Sequence, residues 1–137
     1  MKILTTKTPN NEALFQHAEL LTQTDEIDWD GMIEYCKNNN LRWLALPQIG
    51  INKSWFVAYF FGKRNIIINP IIAKKSKTLI KSEELCSSLP GEVYVVDRHH
   101  SIIAKYNDAY YRIPYPHSIV FQHEYDHLNW VLLFSYK

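Results

Sequence analysis

The sequence predicts a single α+β domain over residues 1–137, with antiparallel or mixed β-sheets packed around a metal-binding C-terminal helix. Three observations predict this class. Apolar residues recur at helical spacing near residues 28–39 and again near the C-terminus. Between these segments, short runs of aromatic and β-branched residues are separated by turn residues, as in strands. A composition of 47% hydrophobic and 21% charged residues is ordinary for a soluble globular domain.

The first predicted helix begins at Asp28 or Asp30, either of which can cap it, and ends near Asn39. Its apolar face at helical spacing consists of Trp29, Met32, Ile33 and Cys36. Because Cys36 belongs to this face, we expect it to be a small buried side chain and not a ligand.

Strands are predicted after this helix. Residues 41–48 begin extended and end in a turn at Pro47 and Gly50. Further strands are predicted at residues 55–61, 66–68, 93–96 and 102–106. Asn107 and Asp108 form a predicted hairpin turn into residues 110–113. The final helix is predicted to follow, with Pro116 in its first turn.

Net charge, apolar runs and cysteine content indicate to which broad class of protein the chain belongs. Fifteen basic and fourteen acidic residues give a net charge of +1, so the overall charge favours neither nucleic acid nor a membrane surface as a partner. No membrane span or secretory signal is recognisable. Two cysteines do not make a disulfide framework. We therefore expect a cytoplasmic protein with reduced thiols.

The most informative stretch is residues 122–128, with the sequence Gln-His-Glu-Tyr-Asp-His-Leu. In a helix, His123 and His127 lie four positions apart on one face, where both imidazoles can bind one metal ion. Glu124 then lies beside the first ligand and can reach a water at that ion. The alternative is an amphipathic helix whose two histidines are simply polar or capped.

A catalytic site of this kind usually has three protein ligands and one open position. Residues 128–137 contain no His, Asp, Glu or Cys, so a third ligand has to lie upstream. Cys86, in a polar segment that we interpret as a loop, is the best candidate. A thiolate with two imidazoles suits Fe, Co, Ni or Zn. The alternative for Cys86 is a small buried residue at a strand end.

The other histidines are weaker candidates. His99 and His100 are adjacent, and adjacent residues on a strand point to opposite faces, so they cannot bind one ion together. His17 and His117 have no partner nearby in the sequence.

Three segments, at residues 41–48, 84–88 and 122–128, together resemble peptide deformylases. The family's segments read Gly-apolar-Gly-apolar-Ala-Ala-x-Gln, Glu-Gly-Cys-Leu-Ser and Gln-His-Glu-x-Asp-His-Leu, in this order. Asn69-Pro70 also matches the family's Asn-Pro, and Arg98 falls where the family has an arginine paired with the glutamate that corresponds to Glu84. The resemblance covers about residues 28–135, and its third segment is the most specific.

The resemblance implies a hydrolase that removes the N-formyl group from the N-terminal methionine of newly made peptides and releases formate. It implies one divalent metal ion, Fe²⁺ or Zn²⁺ with Ni²⁺ or Co²⁺ as alternatives, bound by Cys86, His123 and His127. The partners that it implies are N-formylmethionyl peptides. The C-terminal helix with which bacterial members dock on the ribosome has no counterpart here, so we expect at most weak ribosome association.

The resemblance also implies roles for residues around the metal. Glu124 would transfer the proton between water and the departing amine. The side-chain amide of Gln48 and the backbone N–H of Ser87 would stabilise the oxyanion. Glu84 and Arg98 would support the cysteine segment as a charge-assisted pair.

Several positions depart from the family pattern, and they concern the substrate cleft. Leu41, Trp43 and Leu85 replace glycines, and Arg42 replaces an apolar residue. Formyl-Met peptides are therefore expected to bind more weakly than in members that carry the glycines. The alternatives are a metal-binding relative with an altered substrate or no activity, a structural metal module, and a metallopeptidase. The absence of His, Asp, Glu and Cys from residues 128–137 argues against the metallopeptidase.

Overall fold

In the computed structural model, the described residues are Ile3, Thr5, Leu14, 17–22, 25–86 and 88–129. The elements follow one another as α1 (Trp29–Asn38), β1 (Trp43–Ala45), a 3₁₀ helix (Leu46–Ile49), β2 (Trp55–Phe60), β3 (Lys63–Ile68), β4 (Ile71–Lys75), β5 (Leu79–Cys86), β6 (Leu89–His99), β7 (Ile102–Tyr106), β8 (Ala109–Ile113) and α2 (His117–Leu128).

The named strands form three antiparallel sheets, with orders β1-β2-β3, β4-β7-β8 and β5-β6. The aromatic strand β2 is the centre of the first sheet, and all its residues except Tyr59 are buried. α2 packs between the first two sheets, because the Phe121 ring lies 5.2 Å from Phe56 and 5.8 Å from Tyr106, centroid to centroid. These contacts confirm the predicted α+β class.

The other face of the first sheet is covered by α1. Met32 and Cys36 of α1 are buried there against Leu44, Trp55 and Val57. Asp28 caps the helix, with its Oδ1 accepting from the Gly31 N–H at 3.0 Å. The predicted cap and the predicted burial of Cys36 are both confirmed.

The hairpin between β7 and β8 also follows the sequence prediction. β7 spans the predicted residues 102–106, and β8 begins at Ala109. Asn107 and Asp108 both have positive φ, 50° and 64°, as a two-residue type I′ turn requires. Asn107 stabilises the turn further, because its side chain bonds the backbone of Ile66 and Ile68 in β3.

Two strands, β4 and β5, were missed by the sequence prediction, and β6 is much longer than residues 93–96. The cause is the polar content of β4 and β5. β5 pairs with β6 as a two-stranded sheet in which many side chains remain exposed, so it lacks a continuous apolar run. The interpretation of the Cys86 segment as a loop is wrong, because Cys86 is the last residue of β5.

The described residues include no helix long and apolar enough to cross a membrane. That residues 1–137 form one domain stays a prediction.

Candidate metal centre

α2 brings the two histidines of the HExxH motif together. His123 and His127 are separated by one helical turn, their ring centroids are 5.3 Å apart, and both are buried. The helix is held in place by Gln122, whose side chain accepts from the His99 N–H at 2.9 Å and donates to the His99 carbonyl at 2.8 Å. Ser118 adds a bond to the His100 carbonyl at 2.7 Å. α2 is therefore fixed to the end of β6 before any metal is considered.

Cys86 reaches this histidine pair from the end of β5. A shift in register between Glu84 and Cys86 marks an irregularity of the β5–β6 pair at this point. The Cys86 Sγ lies 3.2 Å from the His127 Nε2, and the ligand atoms of Cys86, His123 and His127 all lie within 4.8 Å of one another. The structure thus brings together the three predicted ligands.

The chemistry of this cluster fits a divalent metal. One sulfur and two imidazole nitrogens converge in a buried space, and among the described residues no fourth His, Cys, Asp or Glu joins them. Three protein ligands with a free position are typical of catalytic metal sites, whereas structural sites are usually closed by four. The arrangement argues against the structural metal module considered above.

Glu84 orients His123 from behind. Its Oε1 lies 2.7 Å from the His123 Nδ1, which leaves the Nε2 of that ring directed toward the cluster. Arg98 donates to both carboxylate oxygens of Glu84, at 2.9 and 2.7 Å. Burial disfavours the charged carboxylate, but the bonds from Arg98 and His123 outweigh burial and lower the pKa of Glu84 to about 2.

Asp126 is a member of this network to which the sequence reasoning gave no role. Its Oδ2 accepts from the Arg98 Nη1 at 2.5 Å, so Arg98 ties β5 and α2 together through two carboxylates. The only available signal was the position of Asp126 inside the quoted motif, directly before the ligand His127. Nothing in the local sequence indicates its partner, because Arg98 lies 28 residues away.

The protonation of the two imidazoles differs. Burial opposes a charge on His123, but the bonds to Cys86 and Glu84 outweigh burial and raise its pKa well above the usual value. Burial and the neighbouring charge of His123 lower the pKa of His127 well below 6.5. A metal requires both rings unprotonated on the ligating nitrogen, so we expect metal uptake to release a proton.

Glu124 is fully buried, and neither of its carboxylate oxygens has a hydrogen-bond partner among the described residues. Its Oε1 lies 4.0 Å from the His123 Nε2, beyond hydrogen-bonding distance. Burial raises the pKa of Glu124 to about 7. A buried carboxylate with unsatisfied oxygens needs a polar group that the described residues do not supply, and a water or substrate atom at the metal fits this requirement.

Gln48 lies on the other side of the cluster, in the 3₁₀ helix. Its Oε1 accepts from the Ala45 N–H at 2.9 Å, which fixes the orientation of the amide. Its Nε2 is consequently directed toward the Cys86 Sγ at 3.7 Å and the Ser88 Oγ at 3.3 Å. The structure places a donor beside the metal ligands, and it adds buried Ser88, which the sequence reasoning missed. Ser87, the other predicted donor, lies outside the described residues.

Two cavities adjoin the predicted metal ligands. The first, of about 280 Å³, is lined by Gln48, Cys86, His123 and Glu124 and by residues 40–43. The second, the apolar cavity, has a volume of about 220 Å³ and is lined by the apolar residues Leu85, Ile119 and Val120 and by the polar residues 82–84. Trp43 and His123 line both cavities.

The competing candidates are not part of the cluster. The His99 Nδ1 lies 2.7 Å from the Ser76 carbonyl oxygen. His117 packs its ring 4.7 Å from that of Phe61. The sequence-based preference for Cys86 over these histidines agrees with the geometry.

Comparison with known proteins gives the same family throughout. The family model described as polypeptide deformylase matches residues 1–136. The peptide deformylase of Thermotoga neapolitana is 33% identical over 129 residues, which are 88% of this chain and 78% of that protein. The peptide deformylase of Karelsulcia muelleri is 36% identical over 96 residues. These residues are 63% of this chain and 51% of that protein, so the match spans about half of its length.

A solved structure agrees with these sequence matches. The crystal structure of the peptide deformylase from Thermotoga maritima has a TM-score of 0.86 and 30% identity, and the match covers 98% of this chain and 95% of that one. Peptide deformylases are metal-dependent enzymes that remove N-formyl groups from nascent peptides. Because the family model spans nearly the whole sequence and the fold agrees, the chain belongs to the polypeptide deformylase family.

Proposed function

We propose that this chain removes the N-formyl group from the N-terminal methionine of newly made peptides and releases formate. The observation that carries the proposal is the open three-ligand cluster of Cys86, His123 and His127 beside a buried carboxylate, Glu124, that lacks a hydrogen-bond partner. Family membership supplies the substrate class.

The three ligands would hold one divalent ion, Fe²⁺ or Zn²⁺, with Ni²⁺ or Co²⁺ as alternatives. When bound, such an ion supplies Lewis acidity, which polarises the formyl carbonyl and makes hydroxide available near neutral pH. Glu84 and Arg98 contribute by holding His123 in its ligating orientation.

Glu124 carries the proton in this proposal. Water loses a proton to the Glu124 carboxylate as its oxygen bonds to the formyl carbon. The bond between that carbon and the methionine nitrogen then breaks, and Glu124 delivers the proton to the departing amine, so that formate and a free amino terminus result. A pKa near 7 suits a group that both accepts and donates a proton at neutral pH.

The negative charge that develops on the formyl oxygen needs hydrogen-bond donors. The Gln48 Nε2 is the first, since its orientation is already fixed by the bond from the Ala45 N–H. The Ser87 backbone N–H is proposed as the second on the family motif alone. Pre-oriented donors stabilise the transition state without any reorganisation cost during the reaction.

The substrate side chain would occupy the apolar cavity of about 220 Å³, where Ile119 and Val120 lie one helical turn before His123. A methionine side chain is flexible and apolar and fits such a lining. A cytoplasmic location and no direct binding to nucleic acid or membrane complete the proposal. The net charge of +1 supports the absence of nucleic acid and membrane partners.

A second candidate is a metal-binding relative that acts on another small acyl amide. The observation that favours it is Trp43, which lines both cavities beside the metal ligands at a position where the family has a glycine. This candidate shares the metal and the chemistry but differs in the acyl amide that is accepted.

The test combines metal analysis of freshly purified protein with formate release from a formyl-Met tripeptide. We expect one metal per chain and metal-dependent formate release. Cys86→Ala should lose stoichiometric metal and activity, whereas Cys36→Ala, which changes the other buried cysteine, should retain the metal. Metal binding without formate release would favour the second candidate, and full metal content in Cys86→Ala would exclude this ligand set.

A further inference from the structure

β1 is the edge strand of its sheet, and its free edge faces the metal cavity. The Arg42 carbonyl accepts from the Tyr59 N–H at 2.6 Å, toward β2, whereas the Ala45 N–H points the other way, to Gln48. Backbone groups of a strand alternate between its two edges. The N–H and C=O of Trp43, like those of Ala45, therefore point away from β2, and an extended peptide can pair with them.

The direction of such a peptide follows from the proposed function, on which this inference rests. Gln48 follows the C-terminal end of β1 and its Nε2 lies 3.7 Å from the Cys86 Sγ, so the formyl end belongs at this end of the strand. The peptide then runs antiparallel to β1, back toward Leu41. With the methionine opposite Trp43, its side chain shares the Trp43 face and points toward Ile119 and Val120, while the next residue lies opposite Arg42.

Arg42 belongs to a row of side chains that crosses the sheet. The guanidinium of Arg42 lies 5.8 Å from the centre of the Tyr59 ring, and that of Arg64, paired with Tyr59 in register, lies 5.5 Å from it. Arg64 also donates to the Leu41 carbonyl at 3.4 Å. Among the described residues, neither arginine forms an ion pair with a carboxylate. Two positive charges thus share one aromatic ring without a neutralising partner.

We propose that Arg42, assisted by Arg64, makes this enzyme favour substrates with an aspartate or glutamate directly after the formylmethionine. Residues opposite one another in antiparallel strands have Cβ atoms close enough for charged side chains to interact. A carboxylate at this position supplies the counter-charge that the two guanidinium groups lack, and a lysine adds a further positive charge. Arg42 therefore determines specificity and takes no part in bond breaking.

The test compares three tripeptide amides, formyl-Met-Asp-Ala, formyl-Met-Asn-Ala and formyl-Met-Lys-Ala, whose amidated ends remove the terminal carboxylate. We expect kcat/KM to fall in the order Asp, Asn, Lys, by roughly 1.4- to 5-fold at each step at low salt. Raising the ionic strength should compress the differences, because the Arg42 side chain is exposed to solvent.

The decisive experiment reverses the charge at Arg42. Arg42→Glu should invert the order, so that the lysine peptide becomes the best of the three. The matched control is Lys105→Glu on β7, which makes the same charge change in another exposed cation–π pair and should keep the original order. The Lys105 Nζ lies 5.6 Å from the centre of the Tyr110 ring on β8. Equal rates for the three peptides, or the same order in Arg42→Glu, would overturn the specificity proposal alone. No cleavage of any peptide would overturn the proposed function and the specificity with it.

Discussion

The Glu84 side chain connects the predicted metal centre to β6 and, through Arg98, to α2. It contacts the ligand His123 on one side and Arg98 on the other, and Arg98 extends the contact to Asp126 on α2. Buried charges are stable only when they are paired and hydrogen-bonded, and this chain of carboxylate, guanidinium and carboxylate meets both conditions. Glu124, in contrast, is buried without such partners, which is the state expected of a group kept available for chemistry.

The availability of Glu124 leads to a kinetic prediction. Glu124→Gln keeps the size and most of the polarity of the side chain but cannot accept the proton. We expect kcat to fall by roughly 10²–10⁴-fold with metal content unchanged. Formate release measured alongside metal analysis checks both parts. Activity comparable to the parent would exclude Glu124 as the proton carrier, and loss of metal would make it a ligand.

Gln48 leads to a different kinetic signature. If its Nε2 donates to the developing oxyanion, Gln48→Ala should lower kcat by about 10²–10³-fold with little change in KM. The neighbouring Ser88→Ala is the matched control, since Ser88 contacts the same Nε2 but is given no role at the oxyanion. An effect confined to KM would mean that Gln48 binds the substrate in its ground state only.

α2 is the element on which the site depends, and its stability comes from its surroundings. Phe121 packs against both large sheets, and Gln122 and Ser118 bond the backbone after β6, so the helix cannot shift without breaking contacts on several sides. Tyr106 of β7 belongs to the same packing, with its ring stacked 4.2 Å from Tyr111. Burial, together with Tyr111, raises the pKa of Tyr106 to about 12.

This shift predicts a loss of stability at alkaline pH. Because the folded pKa is higher than the unfolded value near 10, the contribution of neutral Tyr106 is complete below pH 10 and is lost as the pH rises from about 10 to 12. Over that window the free energy of unfolding should fall by roughly 1–3 kcal/mol more in the parent than in Tyr106→Phe. Urea unfolding of both proteins at pH 9 and pH 11.5 measures the difference. An equal loss in both would show that Tyr106 is not the responsible group.

How far the site could be predicted depended on whether its parts are close in sequence. His123, Glu124 and His127 are four positions or fewer apart, so helical spacing alone predicted their arrangement. Cys86 was identified by elimination, but its strand was missed, because β5 is stabilised by pairing with β6 and not by a continuous apolar run. The roles of Asp126 and Ser88 were missed, since their partners Arg98 and Gln48 are brought close only by the fold.

The substrate cleft belongs to the whole molecule, since β1, β5 and α2 each contribute one wall. The strand register decides how Arg42 and Trp43 are placed in this cleft. Arg42 lies over Tyr59, while Trp43 lies on the opposite face and lines both cavities. The bulky group in the cleft is therefore the Trp43 indole. The charge of Arg42 is expected to act on the substrate residue that follows the formylmethionine.

Trp43→Ala should accordingly enlarge the two cavities that Trp43 lines. We expect kcat/KM for a formyl-Met tripeptide to increase, mainly through a lower KM, because Glu124, Gln48 and the metal ligands are unchanged. The gain should be smaller for the matching formyl-Ala tripeptide, whose methyl side chain needs little of the 220 Å³ cavity. Thermal unfolding of both proteins controls for lost packing, since Trp43 also packs against the core around Phe121. If a stably folded Trp43→Ala shows no gain with formyl-Met, the indole does not restrict the cleft, and a substrate other than formylmethionine explains the altered lining better.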